Sequence, residues 1–319
     1  MSGMRPTGRL HLGHLVGALE QWVRYVDEGE AFFEIADLHA LTTAFERPES
    51  LVEPRDEMVR DWLAAGIDPE RATIFQQSLV PEISELQVLL SMIVPLSWLE
   101  RVPTFKGQIE ALGAHVATYG FLGYPLLQLC DIAVFRGEVV PVGRDQLPHL
   151  EFGREVVRRF NHLYGPTLVE PQATLSTFPE IPGTDGRKMS KSYGNAIDIA
   201  DDEPTTTKKV RSYLTDPLKV RRNDPGRPEV CPVFKLHHLN NLARVPEIER
   251  DCRSGALGCV DCKAELATSV NDYLRPIRER RLQYDSVVIR EIVEDGSARA
   301  RVVASETLAD VKSALKLSD

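Results

Sequence analysis

Apolar residues in the first half of the chain follow two patterns that alternate with each other. Short apolar runs at residues 32–36, 72–75 and 132–135 predict buried strands. Between the first two runs, residues 55–65 carry apolar side chains at helical spacing, which predicts an amphipathic helix. Strands that alternate with helices indicate βαβ units and a parallel sheet. The predicted fold class is therefore α/β, with ligands bound beyond the carboxyl ends of the strands.

The second half of the chain has a different pattern. Strand signals fade after Arg187, and helical patterns broken by proline and glycine replace them. We predict a sheet domain over residues 1–186, a smaller all-α domain over residues 187–297 and an amphipathic C-terminal helix over residues 298–319.

Two segments leave alternatives open. A strand is expected before the first ligand loop, but only residues 1–4 are available for it, so either it is very short or the numbering starts a few residues late. Residues 85–106 are rich in apolar side chains and form either core or a subunit interface.

Composition and charge narrow the class of protein. The 319 residues are 43% apolar and 27% charged, which is typical of a globular protein. No apolar run approaches the roughly 20 residues that a membrane span needs, and the N-terminus lacks a signal-peptide core. We therefore expect a cytoplasmic protein. The net charge of −9 argues against sequence-blind nucleic-acid binding, although ten cations outnumber six acids within residues 187–227.

The first candidate motif opens a helix after the turn formed by Thr7 and Gly8. The helix is expected to start near His11, where unpaired backbone N–H groups suit a phosphate. Gly13 lets a flat base or ribose lie against the backbone. His11 and His14 share a face and can donate hydrogen bonds to a phosphate, although two surface histidines would follow the same pattern.

The second candidate motif is a glycine-rich basic loop over residues 183–192. Lys188 and Lys191 can straddle a pyrophosphate, and Ser190 and Ser192 can donate hydrogen bonds to it. Such a loop can close over substrate and reopen for product release. A basic loop without function is the alternative, but the combination with the histidine motif makes a chance match unlikely in a single chain.

Together, the sequences HLGH and KMSKS resemble the class I aminoacyl-tRNA synthetases, and within them the bacterial tryptophanyl-tRNA synthetases along essentially the whole chain. The resemblance implies a Rossmann-like catalytic domain and a helical domain that binds the tRNA anticodon. It implies catalytic roles for His11, His14, Lys188 and Lys191. The residues that it places at ATP are Arg5, Pro6, Thr7, Gly13, His14, Gly143, Arg144, Asp145, Ile181, Lys188, Met189, Ser190, Lys191 and Ser192. Relatives more often carry an acid at the position of Arg144.

The resemblance also implies an indole pocket. Asp131, at the head of the predicted strand 132–135, would accept the indole N–H. The other residues expected around tryptophan are His39, Tyr124, Gln128, Val140, Val142 and Gln146. A tyrosine-specific enzyme of the same fold and a non-catalytic tryptophan-binding paralogue are the alternatives.

Four cysteines follow the pattern C-x20-C-x6-C-x2-C, namely Cys231, Cys252, Cys259 and Cys262. Four thiolates suit zinc or an iron–sulfur cluster, whereas the alternative is four unrelated buried cysteines. The flanking residues resemble those of the tryptophanyl-tRNA synthetases that carry a [4Fe–4S] cluster near the anticodon-binding region, so the cluster is favoured over zinc. The further partners implied are ATP with Mg²⁺, L-tryptophan, tRNA(Trp) and a second copy of the chain, with no membrane.

Overall fold

The computed structural model describes residues 1–317 except 104–106, 108, 111–112 and 176–179. Residues 104–106 of the apolar segment and residues 318–319 of the predicted last helix therefore lie outside the described residues. Within the described part of the chain, no helix is both long and apolar enough to cross a membrane.

The strands confirm the predicted parallel arrangement. β1 (Ser2–Met4) pairs with β2 (Ala31–Ile35), and β2 pairs with β3 (Ala72–Gln76), all in parallel. β4 (Val139–Val142) pairs in parallel with β5 (Gln172–Leu175). The N-terminal amine of Met1 donates a hydrogen bond to the Val139 carbonyl (3.0 Å), which places β4 beside β1. The strand expected before the first ligand loop is therefore present as β1.

Helices fill the intervals between the strands and form the remainder of the chain. The first half contains α1 (Leu12–His14), a π-helical turn (Leu15–Leu19), α2 (Glu20–Glu28), α3 (Asp37–Ala44), α4 (Val52–Ala65), α5 (Pro81–Ser91), α6 (Leu96–Glu100), α7 (Tyr119–Ala133) and α8 (Leu147–Tyr164). The second half contains α9 (Glu203–Ser212), α10 (Pro232–Asn240), α11 (Val245–Ser254), α12 (Cys259–Arg281) and α13 (Ser286–Ala314). The helix predicted at 55–65 lies within α4, which ends at Gly66 in the left-handed region (φ 112°).

One predicted strand is wrong. Residues 132–133 end helix α7 and residues 134–135 continue into the turn after it, so 132–135 is not a strand. A short apolar run does not distinguish a buried strand from a buried helix. The Thr118 side chain caps the start of α7 by accepting from the Phe121 N–H (3.2 Å). Because α7 continues to Ala133, Asp131 lies in the last turn of a helix rather than at the head of a strand.

The last helix packs directly on the sheet. A Cβ atom at Gly296 would lie 1.9 Å from the Ile74 carbonyl oxygen, so only glycine allows this approach of α13 to β3. Next to it, the Ser297 hydroxyl accepts a hydrogen bond from the Gln76 N–H (3.1 Å). The helix begins at Ser286, before the boundary of 298 predicted for it. The predicted division into three parts stays a prediction.

Helix α12 is held against helix α4 by arginines. Arg281 forms ion pairs with Asp61 and with Glu57 (2.7 Å) of helix α4, and Arg280 donates to the Ala64 carbonyl (2.6 Å). Asp61 is 1% exposed. These contacts join the helical second half of the chain to a helix that lies between β2 and β3 in the chain.

Candidate active site

A cavity of about 390 Å³ lies at the carboxyl ends of β1, β2 and β4, where ligands of parallel sheets bind. Residues predicted for the amino-acid and ATP sites line it, namely Arg5, His39, Tyr124, Gln128, Asp131, Val140, Val142, Gly143 and Gln146. Gly17 of the π-helical turn also lines it, and a Cβ atom there would meet no heavy atom within 4 Å. Helical turns of this type are frequent at functional sites.

Asp131 is the acid at the base of the cavity. It is 3% exposed, and its two carboxylate oxygens accept hydrogen bonds from His39 Nε2 (2.8 Å) and from Gln77 Nε2 (2.7 Å). A carboxylate is acceptor-only, so the His39 Nε2 atom carries a proton. Gln77 also accepts from the Leu38 backbone N–H (3.0 Å), which fixes its amide orientation. The role of Gln77 was not predicted, and it lies in the turn directly after β3.

Glu34 is a second buried acid in the same cavity, and it was not predicted either. It lies on β2 at 3% exposure. Burial raises the pKa of its carboxyl group well above the usual range, and the charge of Asp131 together with a hydrogen bond to it raises this pKa further. The signal in the sequence was a single acid within the apolar run 32–36.

A hydrogen-bonded chain lies on another wall of the cavity. The His149 Nδ1 atom contacts Gln146 Oε1 (3.0 Å), and His149 Nε2 contacts the Tyr124 hydroxyl (2.8 Å). Burial lowers the pKa of His149 to about 4, so the ring is neutral at pH 7. Since the Gln146 oxygen only accepts, Nδ1 is the donor and Nε2 accepts from the Tyr124 O–H. His149 was not predicted, although it lies one helical turn after Gln146.

Acid is expected to destabilise the protein through His149. Above pH 6.5 the free energy of unfolding is unaffected by this group; as the pH falls towards 4, the unfolded chain binds a proton that the folded chain does not. Between pH 7 and 5.5, His149 should therefore lower the free energy of unfolding by about 1 kcal/mol. Urea unfolding at both pH values should show a smaller acid loss in His149→Gln, whereas a variant of the exposed His162 on the same helix should match the parent. An unchanged acid loss in His149→Gln would contradict the assignment.

His11 and His14 lie at the helix N-terminus, as predicted. His11 Nδ1 accepts from the Gly13 N–H (3.1 Å), and His14 Nδ1 accepts from the His11 N–H (3.2 Å). Burial and the charge of Lys191 lower the pKa of His11 to about 4, and burial with the charges of His11 and Lys191 lowers the pKa of His14 to about 2. Both neutral rings therefore carry their proton on Nε2, as donors to a ligand. A Cβ atom at Gly13 would lie 2.8 Å from His11 Cε1, which explains the glycine.

The structure brings Lys191 of the second motif to the first motif. Its Nζ atom donates to the Gly8 carbonyl (2.8 Å), and burial lowers its pKa. Lys188 does not share this position, because it is exposed and pairs with Glu180 (3.1 Å). The hydroxyl groups of Ser190 and Ser192 contact each other (2.9 Å).

Asn195 organises the lysine loop, and it was not predicted. It is 2% exposed; its side-chain oxygen accepts from the Ser190 N–H (2.8 Å), and its amide donates to Asp185 (2.7 Å) and to the Lys188 carbonyl (3.1 Å). A Cβ atom at Gly183 would lie 2.3 Å from the Asn195 amide, so the loop glycine allows this contact.

The remaining residues predicted at ATP lie in the loops around this region. Met189 is buried, and its N–H donates to the Ile181 carbonyl (2.8 Å), which joins the loop to the core. Arg144 and Asp145 are exposed on the short turn after β4. Pro6 and Thr7, in the turn after β1, do not line the cavity as far as the described residues show.

The four predicted cysteine ligands lie near one another in the helical half. Cys231 caps α10, Cys252 lies in α11, and Cys259 and Cys262 occupy the first turn of α12. Burial, together with negative charge on the other three thiols, raises the pKa of Cys262 to about 12. All four are free cysteines. In the described part of the chain, no three histidine, cysteine or acidic side chains are arranged to hold a metal ion, so the predicted site is not confirmed.

Comparison with known proteins matches residues 1–275 to the family described as tRNA synthetases class I (W and Y). The tryptophan–tRNA ligases of Thermotoga maritima and Aquifex aeolicus are 47% and 42% identical to the chain, and each alignment covers 99% of it, with 98% and 99% of the relative. The chain belongs to the class I tryptophanyl-tRNA synthetases. The predicted fold class and tryptophan–tRNA ligase function are thereby confirmed.

Solved structures of tryptophanyl-tRNA synthetases agree with this family. The Campylobacter jejuni enzyme complexed with ADP and tryptophan has a TM-score of 0.90 at 32% identity, covering 99% of this chain and 98% of that one. The tyrosyl-tRNA synthetase of Archaeoglobus fulgidus, at 22% identity and a TM-score of 0.67, shows a common fold. For a tryptophanyl-tRNA synthetase, the substrates are tryptophan, ATP and tRNA(Trp).

Proposed function

We propose that the cavity holds tryptophan with its ring N–H at Asp131 and its amino group near Tyr124. His39, Gln128, Val140, Val142 and Gln146 complete the walls. The supporting observation is that a buried acid with two fixed donors lies in a largely apolar cavity beside the histidine helix. A site built around one polar atom rejects analogues that lack its partner.

ATP lies, in this proposal, between the histidine helix and the lysine loop. Arg5 lines the cavity and Lys191 contacts the Gly8 turn, so the amino-acid and phosphate positions adjoin. An oxygen of the tryptophan carboxylate attacks the α-phosphorus, and the bond to the β-phosphate breaks to release pyrophosphate. A terminal ribose hydroxyl of the tRNA then attacks the carbonyl carbon of the adenylate, and AMP leaves.

The residues of this chain act by position and charge. The Nε2–H groups of His11 and His14, the Lys191 ammonium and the backbone N–H groups of α1 donate to phosphate oxygens. Lys188, Ser190 and Ser192 reach the phosphates when the loop moves, and the turn at 143–145 holds the adenosine. Mg²⁺ bound with ATP supplies further positive charge.

Pyrophosphate exchange tests the reaction. We expect exchange that depends on tryptophan and is absent with tyrosine, because a phenol lacks the ring N–H that Asp131 accepts. Exchange with tyrosine would contradict the pocket proposal, and exchange with neither amino acid would contradict catalysis by this chain.

We propose further that the protein acts in the cytoplasm as a homodimer. Helices α5 and α6 and the turn between them carry the exposed apolar side chains Val88, Met92 and Leu96, which are 56%, 75% and 59% exposed. An exposed apolar patch of this kind is typical of a subunit interface. The basic segment 187–227 faces tRNA in this proposal.

The four clustered cysteines hold, in our proposal, a [4Fe–4S] cluster with a structural role on the tRNA side, with zinc as the alternative. The donor set fits such a centre chemically: burial and the charges of the neighbouring cysteines raise the pKa of Cys252 and Cys262, so a cation is needed to hold these thiols as thiolates. Such a centre would tie together the loop before α10, helix α11 and the start of α12.

Metal content tests the cysteine proposal. Anaerobically purified protein should be brown, with broad visible absorption and about four iron atoms per chain. Replacing Cys259 or Cys262 with serine should abolish the colour, whereas Cys130→Ser, at a buried free cysteine in helix α7, should keep it. A colourless protein with one zinc ion per chain would show that the cysteines hold zinc instead of the cluster. A metal-free protein would contradict both proposals.

A further inference from the structure

Glu34 has no role in the fold that accounts for its burial. Its strand β2 is buried along its whole length, and every other residue of that strand is apolar. The register partner of Glu34 on β1 is Gly3, where a Cβ atom would lie 3.0 Å from Glu34 Oε2. The missing side chain at Gly3 therefore leaves the space that the Glu34 carboxyl group occupies.

One oxygen of the Glu34 carboxyl group makes no hydrogen bond in the described structure. Among the described residues, its Oε1 atom is buried and has no hydrogen-bond partner. An unpaired buried acceptor destabilises a folded protein, so a fold selected for stability alone would carry an apolar residue here. The side chain lines the cavity that contains Asp131, so a ligand in the cavity can supply the missing donor.

The protonation state follows from its surroundings. Burial, the charge of Asp131 with a hydrogen bond to it, and the charge of Asp37 raise the pKa of Glu34 well above its usual range, which favours the neutral carboxyl group. A neutral carboxyl group has one O–H donor and one carbonyl acceptor. The O–H belongs with the Asp131 carboxylate, whose two oxygens already accept from His39 and Gln77. The carbonyl oxygen, Oε1, remains as a buried acceptor without a partner in the described structure, on a side chain that lines the cavity.

We propose that Glu34 is a specificity-determining residue of the amino-acid pocket: its carboxyl O–H donates to Asp131, and its Oε1 shares the ring N–H of tryptophan with Asp131. This inference rests on the proposed position of the indole ring at Asp131. It adds a second acceptor to the recognition of one N–H group. Bound tryptophan satisfies both acceptors, whereas a ring without the N–H leaves Oε1 buried and unpaired.

Two variants of equal length separate this role from a structural one. Glu34→Met removes both polar atoms, whereas Glu34→Gln keeps a donor towards Asp131 and a carbonyl oxygen towards the ring. The substrates are tryptophan and 3-(benzothiophen-3-yl)alanine, in which sulfur replaces the N–H. The readout is the ratio of kcat/KM for the two in pyrophosphate exchange, which measures discrimination for the N–H group.

Glu34→Met should lower this ratio about tenfold, the effect of one buried hydrogen bond, and Glu34→Gln should keep it within about threefold of the parent. The thermal midpoint of Glu34→Met should equal or exceed that of the parent, because an unpaired polar atom is replaced by an apolar one. Thr307→Val is the control, since Thr307 Oγ1 is also buried without a partner in the described structure but does not line the cavity. It should leave the ratio unchanged.

An unchanged ratio in Glu34→Met, or an equal loss for both substrates, would overturn the proposal. A ratio that falls as far in Glu34→Gln as in Glu34→Met would also overturn it. If Glu34→Met is only partly folded, the ratio for Glu34→Gln relative to that of the parent decides the test. Failure of the pocket proposal looks different. In that case the parent enzyme itself would not distinguish the two substrates.

Discussion

Lys191→Met is expected to slow tryptophan activation on the order of 100-fold, the effect of removing one preorganised donor from a developing negative charge. The Lys191 ammonium is held beside the histidine helix by the Gly8 carbonyl (2.8 Å), and burial lowers its pKa. Methionine keeps the length and apolar stem of the side chain but removes the charge. Tryptophan binding should remain within about twofold, because Lys191 does not line the amino-acid cavity.

Single-turnover formation of the tryptophanyl adenylate measures the activation rate, and calorimetric titration measures tryptophan affinity. Lys208→Met is the matched control, since Lys208 is an exposed cation on helix α9 in the same half of the chain. It should retain the parent rate. Equal losses of rate and tryptophan affinity in Lys191→Met would show that Lys191 acts on the amino acid rather than on the phosphates.

Asp131→Asn is expected to lower kcat/KM for tryptophan on the order of 100-fold. The carboxylate accepts from His39 Nε2 and from Gln77 Nε2, and an amide can accept from only one of them through its single oxygen. The other donor then faces an NH₂ group. Loss of charge-assisted hydrogen bonds of this kind costs about 3 kcal/mol, and the indole N–H loses its acceptor in the same step.

Steady-state exchange kinetics with tryptophan, together with thermal unfolding, measure this effect. Asp61→Asn is the matched control, because Asp61 is also buried but pairs with Arg281 between helices α4 and α12. It should reduce thermal stability, since breaking a buried ion pair costs about 3 kcal/mol, and yet keep kcat/KM within about twofold. A similar loss of kcat/KM in both variants would show that any buried charge has this effect.

The sequence pattern predicted the elements whose periodicity was unbroken. Strands at 32–36 and 72–75 and the helix at 55–65 are present, because a short apolar run and helical spacing are local properties of the sequence. Helix α7 was misread because Gly120, Gly123 and Pro125 interrupt its pattern and leave an apolar run at its end. Strands β4 and β5 are short and partly exposed, and pairing between distant segments forms them.

The candidate site likewise contains residues that a local sequence pattern identified and residues that no such pattern identified. His11, His14 and Lys191 lie close together in the structure, and the two motifs identified them in the sequence; their catalytic roles stay a prediction. Glu34, Gln77, His149 and Asn195 were missed, because each contributes through contacts that no local pattern of apolar and polar residues encodes. Glu34 reaches Asp131 from strand β2 and Gln77 reaches it from the turn after β3, whereas Asn195 bonds to the lysine loop that precedes it.

The hydrogen bond between Lys191 and Gly8 holds in place an ammonium group that burial has already taken partly out of water. An ammonium group has three N–H donors, and the Gly8 carbonyl uses one of them. In the proposed complex, a nucleotide phosphate uses the remaining donors, and the lysine needs little further desolvation. The Gly8 turn therefore presets the position of the charge, and a change that moves this turn is expected to weaken nucleotide binding without altering Lys191 itself.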